Sequence, residues 1–452
     1  MRAPDPDGTE LALPLVPALR TGEASPEARP SAKKVAETEG STPAVPEHTR
    51  WRLVLMGVAA GICCAFQIGK APPALQELQL RLGISLVVGG WVLSALNVVG
   101  AACGLAVGAA GDRVGDRRAR GLGLACAGAG SLLGAAAPGP AWLLTTRALE
   151  GFGYLMVVVS APALIFKVTR PGDLGLAFGL WGCFMPLGTS AMMLLAPPLL
   201  ALAGWRGLWA GNGLLLLFLA AVFRRLTRTV PGLSAGRAAR TRASWRSVGL
   251  VAVTPGPVAL ALSWAMYTMS FMVLMGFLPT LLMGRGYSRA AAAALTSLAV
   301  AVNMVGALLG GWLLKRRAPR WALMTSAATV GGLSMLGIYG AGTPEWVRYA
   351  LCLLFSIFGG IQAVCVLGGA PLYAPRPTLV ATTNGFVNQV SNVAMLLGPP
   401  AAALLASARG GWQATPWILT SALALSGACA LVLRGIPATG GARKAASAPA
   451  EK

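Results

Sequence analysis

Twelve apolar stretches, separated by short polar segments, occupy most of the chain between residues 52 and 433. Each is long enough to cross a hydrocarbon core of about 30 Å. Because unpaired backbone groups are very costly in lipid, a chain crosses it only as helices or as a closed β-barrel. Barrel strands alternate polar and apolar residues, whereas these stretches are continuously apolar, which favours helices. The predicted spans are roughly 52–71, 86–110, 120–138, 141–167, 173–200, 206–225, 256–282, 289–315, 320–340, 345–373, 379–407 and 413–433.

The composition also favours a membrane protein. Hydrophobic residues make up 55% of the 452 residues and charged residues only 12%, whereas about a quarter of the residues of a soluble protein are charged. The net charge is +22, but the basic residues are concentrated in alternate loops and not on one continuous face. We therefore expect contact with the lipid bilayer, and no nucleic-acid partner.

The distribution of Lys and Arg among the loops predicts the orientation. The loops on one side carry 18 basic residues and those on the other side carry 7. The positive-inside rule therefore places the first set of loops, and both termini, in the cytoplasm. Tryptophans near the predicted span ends, among them Trp142, Trp205 and Trp346, are expected to lie at the membrane interfaces.

The longest loop between predicted spans is rich in Arg, Ser and Gly, and it divides them into two groups of six. The predicted divisions are a disordered cytoplasmic tail at 1–50, a six-helix bundle at 51–226, a cytoplasmic basic linker at 227–250, a second six-helix bundle at 251–435 and a disordered cytoplasmic tail at 436–452.

Two short phrases occur twice, once in each group of spans. The sequence from Asn97 to Gly104 returns in similar form from Asn303 to Gly310, an offset of 206 residues. The sequence Met-Leu-Leu-Ala-Pro-Pro that ends at Pro198 returns as Met-Leu-Leu-Gly-Pro-Pro ending at Pro400, an offset of 202. Internal repeats in a chain this apolar indicate a transporter whose two bundles move against each other around a central site.

One loop signature lies between predicted spans 2 and 3. Its members are Gly108, Asp112, Arg113, Gly115, Arg117 and Arg118. They fit the pattern G-x-x-x-D-R-x-G-x-R-R, and the loop resembles that of the major facilitator superfamily. The resemblance covers about residues 52–435 and implies an all-α membrane fold of twelve transmembrane helices in two six-helix bundles, with alternating access. It also implies that the loop acts as a cytoplasmic gate. The equivalent loop of the second half lacks the Asp.

Predicted span 4 contains two charges, Arg147 and Glu150, followed by Gly151 and Gly153. This also resembles a superfamily pattern, R-x-x-x-G-x-G. Charges inside a membrane usually face a partner or a cavity, and residues three apart on a helix can pair. If protons drive transport, Glu150, Arg147 and Asp112 are the candidates for coupling. The alternative is a static salt bridge.

A few polar and aromatic residues interrupt the apolar spans and are candidates for contact with a substrate. They are Gln67, Lys70, Asn97, Trp181, Trp264, Tyr267, Asn303, Gln362, Asn388, Gln389 and Asn392. The alternative for the amides is hydrogen bonding between helices, which is common in membrane bundles. Span 5 loosely resembles an antiporter motif of the superfamily, which favours export slightly.

These observations favour a secondary active transporter, in the inner (cytoplasmic) membrane, of a small organic solute. We expect proton coupling, a monomer, and neither a cofactor nor a metal, since the eight cysteines have no metal-site spacing. An enzyme is not expected, because acids are scarce and the only histidine is His48. Three alternatives remain: a proton-independent uniporter, an exchanger of organic anions, and a transport-inactive sensor on the same fold.

Overall fold

The computed structural model describes residues 48–103, 116–228 and 245–436. Within these ranges the regular structure consists of α-helices and short 3-10 turns, without a β-strand. In the first half the helices are α1 (Trp51–Gly69), α2 (Ala71–Leu82), α3 (Leu86–Ser94), α4 (Asp116–Ala135), α5 (Pro140–Val168), α6 (Leu174–Gly182) and α7 (Phe184–Leu226). A short helix, α8 (Trp245–Val253), follows.

The second half contains eight further helices. They are α9 (Pro255–Met283), α10 (Arg289–Ala301), α11 (Asn303–Lys315), α12 (Arg320–Tyr339), α13 (Glu345–Leu367), α14 (Ala370–Tyr373), α15 (Val380–Ala408) and α16 (Thr415–Val432). The 3-10 turns are Ala95–Asn97, Pro171–Asp173, Pro377–Leu379 and Trp412–Ala414. Helix α8 occupies the end of the predicted linker 227–250, so that part of the linker is helical.

Ten helical stretches of the described chain are long and apolar enough to cross a membrane. The stretch Pro171–Leu226 contains two of the predicted spans. Helix α4, which is rich in Gly and Ala, corresponds to a further predicted span but is less apolar. The described helices are therefore consistent with twelve spans, and the fold is that of an all-α membrane protein.

Two breaks in the helices shape the first half. Lys70, with helical backbone angles and its N–H bonded to the carbonyl of Phe66, joins α1 to α2. The break at this point is a gap in the hydrogen-bond ladder, because the prolines Pro72 and Pro73 that follow have no backbone donor. Gly204 interrupts α7 with φ of 62°, a left-handed conformation that favours glycine. This break separates predicted span 5 from predicted span 6.

The two halves contact each other mainly through α2, α3, α7, α9, α10 and α15. A Cβ atom on Gly90 would lie 2.8 Å from the carbonyl oxygen of Pro399, so α3 and α15 approach closely. Between α10 and α7, the hydroxyl of Ser297 donates to the carbonyl of Ser190 at 2.7 Å. Gly90 and Ser297 both lie toward the ends of their spans that are predicted to be nearer the outer side of the membrane.

Two sequence expectations about side-chain position are wrong. Trp205, expected at the interface, is 2% exposed and packs inside the first half. Arg120, one of the 18 basic residues counted for the predicted cytoplasmic loops, is fully buried in α4, with its guanidinium 5.3 Å from the ring centre of Phe223. Trp142 and Trp346 are exposed at their helix ends, as expected for interfacial residues.

Candidate functional site

A cluster of three charged side chains lies inside the first half. Nζ of Lys70 is 2.8 Å from Oε1 of Glu150, and the guanidinium of Arg147 contacts Oε2 of the same carboxylate. All three side chains have no exposed surface. The cluster therefore contains two cations and one anion, withdrawn from water.

Helix geometry accounts for this meeting. Arg147 and Glu150 are one turn apart on α5, so both reach the same side of the helix. Lys70 comes from the break between α1 and α2. A Cβ on Gly130 of α4 would lie 2.9 Å from the backbone nitrogen of Glu150, so glycine lets α4 pack directly against this part of α5.

Lys70 has partners on two further helices. Its ammonium donates to the hydroxyl of Ser131 at 2.8 Å, and that hydroxyl donates to the carbonyl of Trp209 at 2.7 Å. The ammonium also lies 4.5 Å from the ring centre of Trp209, within the range of a cation–π interaction. Neither Ser131 nor Trp209 could be predicted from the sequence, since a lone hydroxyl and an aromatic residue in apolar spans carry no distinctive pattern.

Arg147 binds two backbone carbonyls in addition to Glu150. Its Nη1 donates to the carbonyl of Gln67 at 2.8 Å, and its Nε donates to the carbonyl of Val92 at 3.1 Å. Each carbonyl lies about one turn before a helix irregularity: the break at Lys70 for Gln67, and the 3-10 turn Ala95–Asn97 for Val92. Arg147 thus ties spans 1, 2 and 4 together.

The carboxamide of Gln67 is the least satisfied group at this site. The side chain is fully buried, and within the described chain neither its oxygen nor its nitrogen has a hydrogen-bond partner. Buried polar groups of this kind are rare and need an explanation. A polar ligand or a water molecule could bind to this carboxamide.

The second half has an aromatic cluster formed by residues of α9 and α13. The rings of Trp264 and Tyr267 stack with centres 5.6 Å apart, and Tyr267 packs on Phe355 at the same centre distance. Asn303 donates to the carbonyl of Ser356 at 2.9 Å. This contact uses the Asn303 amide to join α11 to α13, which agrees with the interhelical alternative.

Three substrate candidates, Asn388, Gln389 and Asn392, lie on α15, which packs against α3 and the residues that follow it. Gln389 donates to the carbonyl of Ala101 at 3.0 Å across the two halves, and a Cβ on Gly100 would lie 2.6 Å from the side chain of Asn392. Asn388 is exposed. Asn388 and Asn392 each donate to the carbonyl one turn earlier, which leaves their amide oxygens for other partners.

The remaining substrate candidates are distributed elsewhere. The amide of Gln362 donates to the hydroxyl of Ser263 at 2.9 Å, inside the second half. Trp181 stacks on Phe184 with ring centres 4.2 Å apart, and the amide of Asn97 donates to the carbonyl three residues earlier. The structure therefore does not bring all the candidates into one cavity.

Most of the gate signature lies outside the described residues. This holds for Gly108, Asp112, Arg113 and Gly115, and therefore also for Asp112 as a coupling candidate. Arg117 and Arg118 fall in the first turn of α4, where Arg118 is exposed.

Comparison with known proteins agrees on one family and fold. The Major Facilitator Superfamily model matches residues 57–380. The puromycin resistance protein pur8 of Streptomyces alboniger is 32% identical over 162 residues, 36% of this chain and 32% of that protein. The match therefore spans about a third of the length of that relative.

Two solved structures of a bacterial homologue of the human lysosomal transporter Spinster have a similar fold. The inward-facing, occupied form aligns with a TM-score of 0.68 at 17% identity, covering 87% of this chain and 96% of that one. The inward-facing, unoccupied form aligns with a TM-score of 0.67 at 16% identity, with the same coverage.

Proposed function

The chain belongs to the Major Facilitator Superfamily, and on that premise we propose that it is a secondary active transporter that moves a small organic solute by alternating access, with protons as the coupling ion. The family and fold place it among multi-pass membrane transporters and not among enzymes. We further propose the cytoplasmic membrane as its location and the cytoplasmic side for both termini, because the basic loops cluster on that side.

Alternating access needs contacts that close one side and can be released. Glu77 on α2 supplies such a contact. Its Oε1 accepts the backbone N–H of Trp205 at 3.1 Å, directly after the break at Gly204, and its Oε2 lies 3.8 Å from Arg289 on α10. We propose that this carboxylate links the two halves at the predicted outer side and that the link opens when the site faces outward.

The observation that carries the proposed coupling is the buried position of Glu150 between Lys70 and Arg147. Protonation of Glu150 would remove the only negative charge of the cluster and leave two cations unbalanced in a medium of low dielectric constant. Separation of Lys70 from the cluster relieves this strain. Lys70 lies at the break in span 1, so its release would free α1 and α2 to change the angle between them. Protonation of Glu150 would in this way be coupled to a conformational change.

The proposed solute is an amphipathic organic molecule that carries an aromatic group. The half-buried ring of Trp264 and the exposed amide of Asn388 would contact its apolar and polar parts. The relative named for puromycin resistance supports export of such a molecule. Puromycin is therefore the first probe.

The test is transport of labelled puromycin in proteoliposomes, with Glu150→Gln compared to wild type. We expect wild type to accumulate puromycin when a pH gradient is imposed. The variant should lose this accumulation and retain counterflow, which needs no net proton movement. Asp173→Asn is the matched control, since Asp173 lies outside the cluster and accepts a hydrogen bond from Thr49.

Three results would contradict parts of this proposal. Full accumulation by Glu150→Gln would show that Glu150 does not carry the coupling proton. Uptake by wild type that ignores the pH gradient would favour the proton-independent uniporter, which equilibrates its solute without concentrating it. Absence of both accumulation and counterflow for puromycin would overturn the proposed solute class.

A further inference from the structure

A cavity of about 450 Å³ lies within the second half, away from the charged cluster. It is formed by the last turns of α9, by α10, by the end of α12 and by the start of α13. Its walls are apolar, with Leu278, Leu281, Leu295 and Ile338 among the lining residues. The volume falls within the range of known ligand sites, about 300–1,000 Å³.

Three charged residues stand at this cavity: Arg285, Glu345 and Arg348. Arg348 is occupied by the protein itself. Its Nη2 donates to the carbonyls of Gly340 and Thr343, both at 3.0 Å, and it also lies 3.3 Å from Glu345. These bonds satisfy carbonyls at and beyond the end of α12, which is a structural role.

Arg285 is differently placed. Within the described chain its guanidinium makes one ion pair, in which Nε is 3.7 Å from Oε1 of Glu345. The side chain is 27% exposed, so its remaining donors are available at the cavity. With two arginines and one glutamate, the group carries one net positive charge.

The cavity also has a membrane-interface residue at its edge. Trp346 lines it and is 76% exposed on the first turn of α13, and tryptophan in such a position is typical of the boundary between lipid and water. The cavity therefore presents an apolar space for a hydrocarbon chain and, at interface depth, a cation for an anionic headgroup.

We propose that this cavity binds one anionic phospholipid of the membrane, with an acyl chain among Leu278, Leu281 and Leu295 and the phosphate on Arg285. A guanidinium binds phosphate oxygens through paired, charge-assisted hydrogen bonds. The net positive charge of this group attracts an anionic headgroup by Coulomb interaction at the membrane interface. This site is separate from the proposed transport path and does not depend on the proposed coupling.

The experiment is native mass spectrometry of the full-length protein titrated with phosphatidylglycerol or with phosphatidylcholine. We expect one phosphatidylglycerol to be retained by wild type at least tenfold more tightly than phosphatidylcholine. Arg285→Gln should remove this preference, since a charge-assisted hydrogen bond contributes enough for about a tenfold change. Arg409→Gln, an exposed arginine on the same predicted side and outside the cavity, is the matched control.

A second variant tests the apolar part. Leu295→Trp fills the cavity from α10, where Leu295 is half-buried, and should weaken phosphatidylglycerol retention while the melting temperature shows that the fold persists. Equal retention of the two lipids by wild type would overturn the proposal. So would an equal loss in Arg285→Gln and Arg409→Gln, or tighter retention of oleate than of phosphatidylglycerol, which would identify a free fatty acid as the occupant.

Discussion

Replacement of Glu150 by glutamine should destabilise the protein, and further replacement of Lys70 by methionine should restore part of the loss. Glu150→Gln leaves Lys70 and Arg147 buried without a counter-charge. Unit charges 2.8 Å apart, the distance between Lys70 and Glu150, attract each other by about 6 kcal/mol at an effective dielectric constant of about 20. Desolvation offsets part of this, and removal of one partner of a buried pair typically costs about 3–5 kcal/mol.

The double variant Lys70→Met, Glu150→Gln has one buried cation, Arg147, which keeps its bonds to two backbone carbonyls. It should therefore be more stable than Glu150→Gln by about 1–3 kcal/mol, although it carries one more substitution. Lys70→Met alone keeps the Arg147–Glu150 pair and should lose about 1–3 kcal/mol with its hydrogen bonds.

The assay is thermal unfolding in detergent, followed with a thiol-reactive dye. Cys64, Cys352, Cys365 and Cys429 are buried, whereas Cys103 is exposed and reacts in the folded protein. The further rise in dye signal on heating therefore reports loss of structure. The expected order of melting temperatures is wild type, Lys70→Met, the double variant and then Glu150→Gln. A double variant that melts below Glu150→Gln would show that the two side chains contribute independently, and the electrostatic reasoning would be wrong.

Three further predictions follow from single contacts. Gly306→Ala should prevent correct packing, because a Cβ there would overlap a backbone carbonyl oxygen of α13. Gly311 faces open space, so Gly311→Ala should be tolerated. The yield of folded protein measures both effects. Glu77→Gln should raise hydrogen exchange at the start of α10 by releasing Arg289, and unchanged exchange would remove the proposed outer link. Gln362→Leu should lower the free energy of unfolding by about 1 kcal/mol and leave transport intact, since its amide joins helices; lost transport at normal stability would return Gln362 to the substrate candidates.

The sequence predicted the helical spans well because long apolar runs have few alternatives in lipid. It also indicated that Arg147 and Glu150 could pair, since their spacing of three residues suffices. The contact of Lys70 with Glu150 joins residues 80 positions apart and depends on the break in span 1. No local pattern contains that information, so the sequence predicted Lys70 only as a substrate candidate.

The errors have a similar physical origin. Trp205 was expected at the interface because it lies near a span end, but the break at Gly204 turns the start of span 6 inward, where Glu77 binds the backbone nitrogen of Trp205. Arg120 was counted with the basic residues of the predicted cytoplasmic loops, since it lies at the boundary of a predicted span. It is buried where α4 packs on α7, with its guanidinium over the ring of Phe223. Both positions were decided by tertiary contacts and not by composition.

The internal repeat that the sequence predicted has a counterpart in packing. In the first half, a Cβ on Gly151 of α5 would overlap the carbonyl oxygen of Leu96, so span 4 meets span 2 backbone to backbone. In the second half, Gly306 of α11 meets the carbonyl of Ile357 in the same way, which joins spans 8 and 10. The repeat relates span 2 to span 8 and span 4 to span 10, so the two contacts are equivalent.

The second half has a glycine on both spans of this contact, because a Cβ on Gly360 of span 10 would likewise overlap the carbonyl oxygen of Asn303 on span 8. A close helix approach needs a small residue on at least one side, and both halves satisfy this requirement. The two halves have thus kept the helix contact while the sequences around it diverged. The same divergence leaves buried charges beside Gly151 and an aromatic cluster beside Ile357.

We infer that the proton and the solute are handled by different halves, with Glu150 in the first half and Trp264 in the second. A Trp264→Ala variant should accordingly weaken puromycin binding without altering the pH dependence of counterflow, whereas a change in that pH dependence would place both tasks in one half.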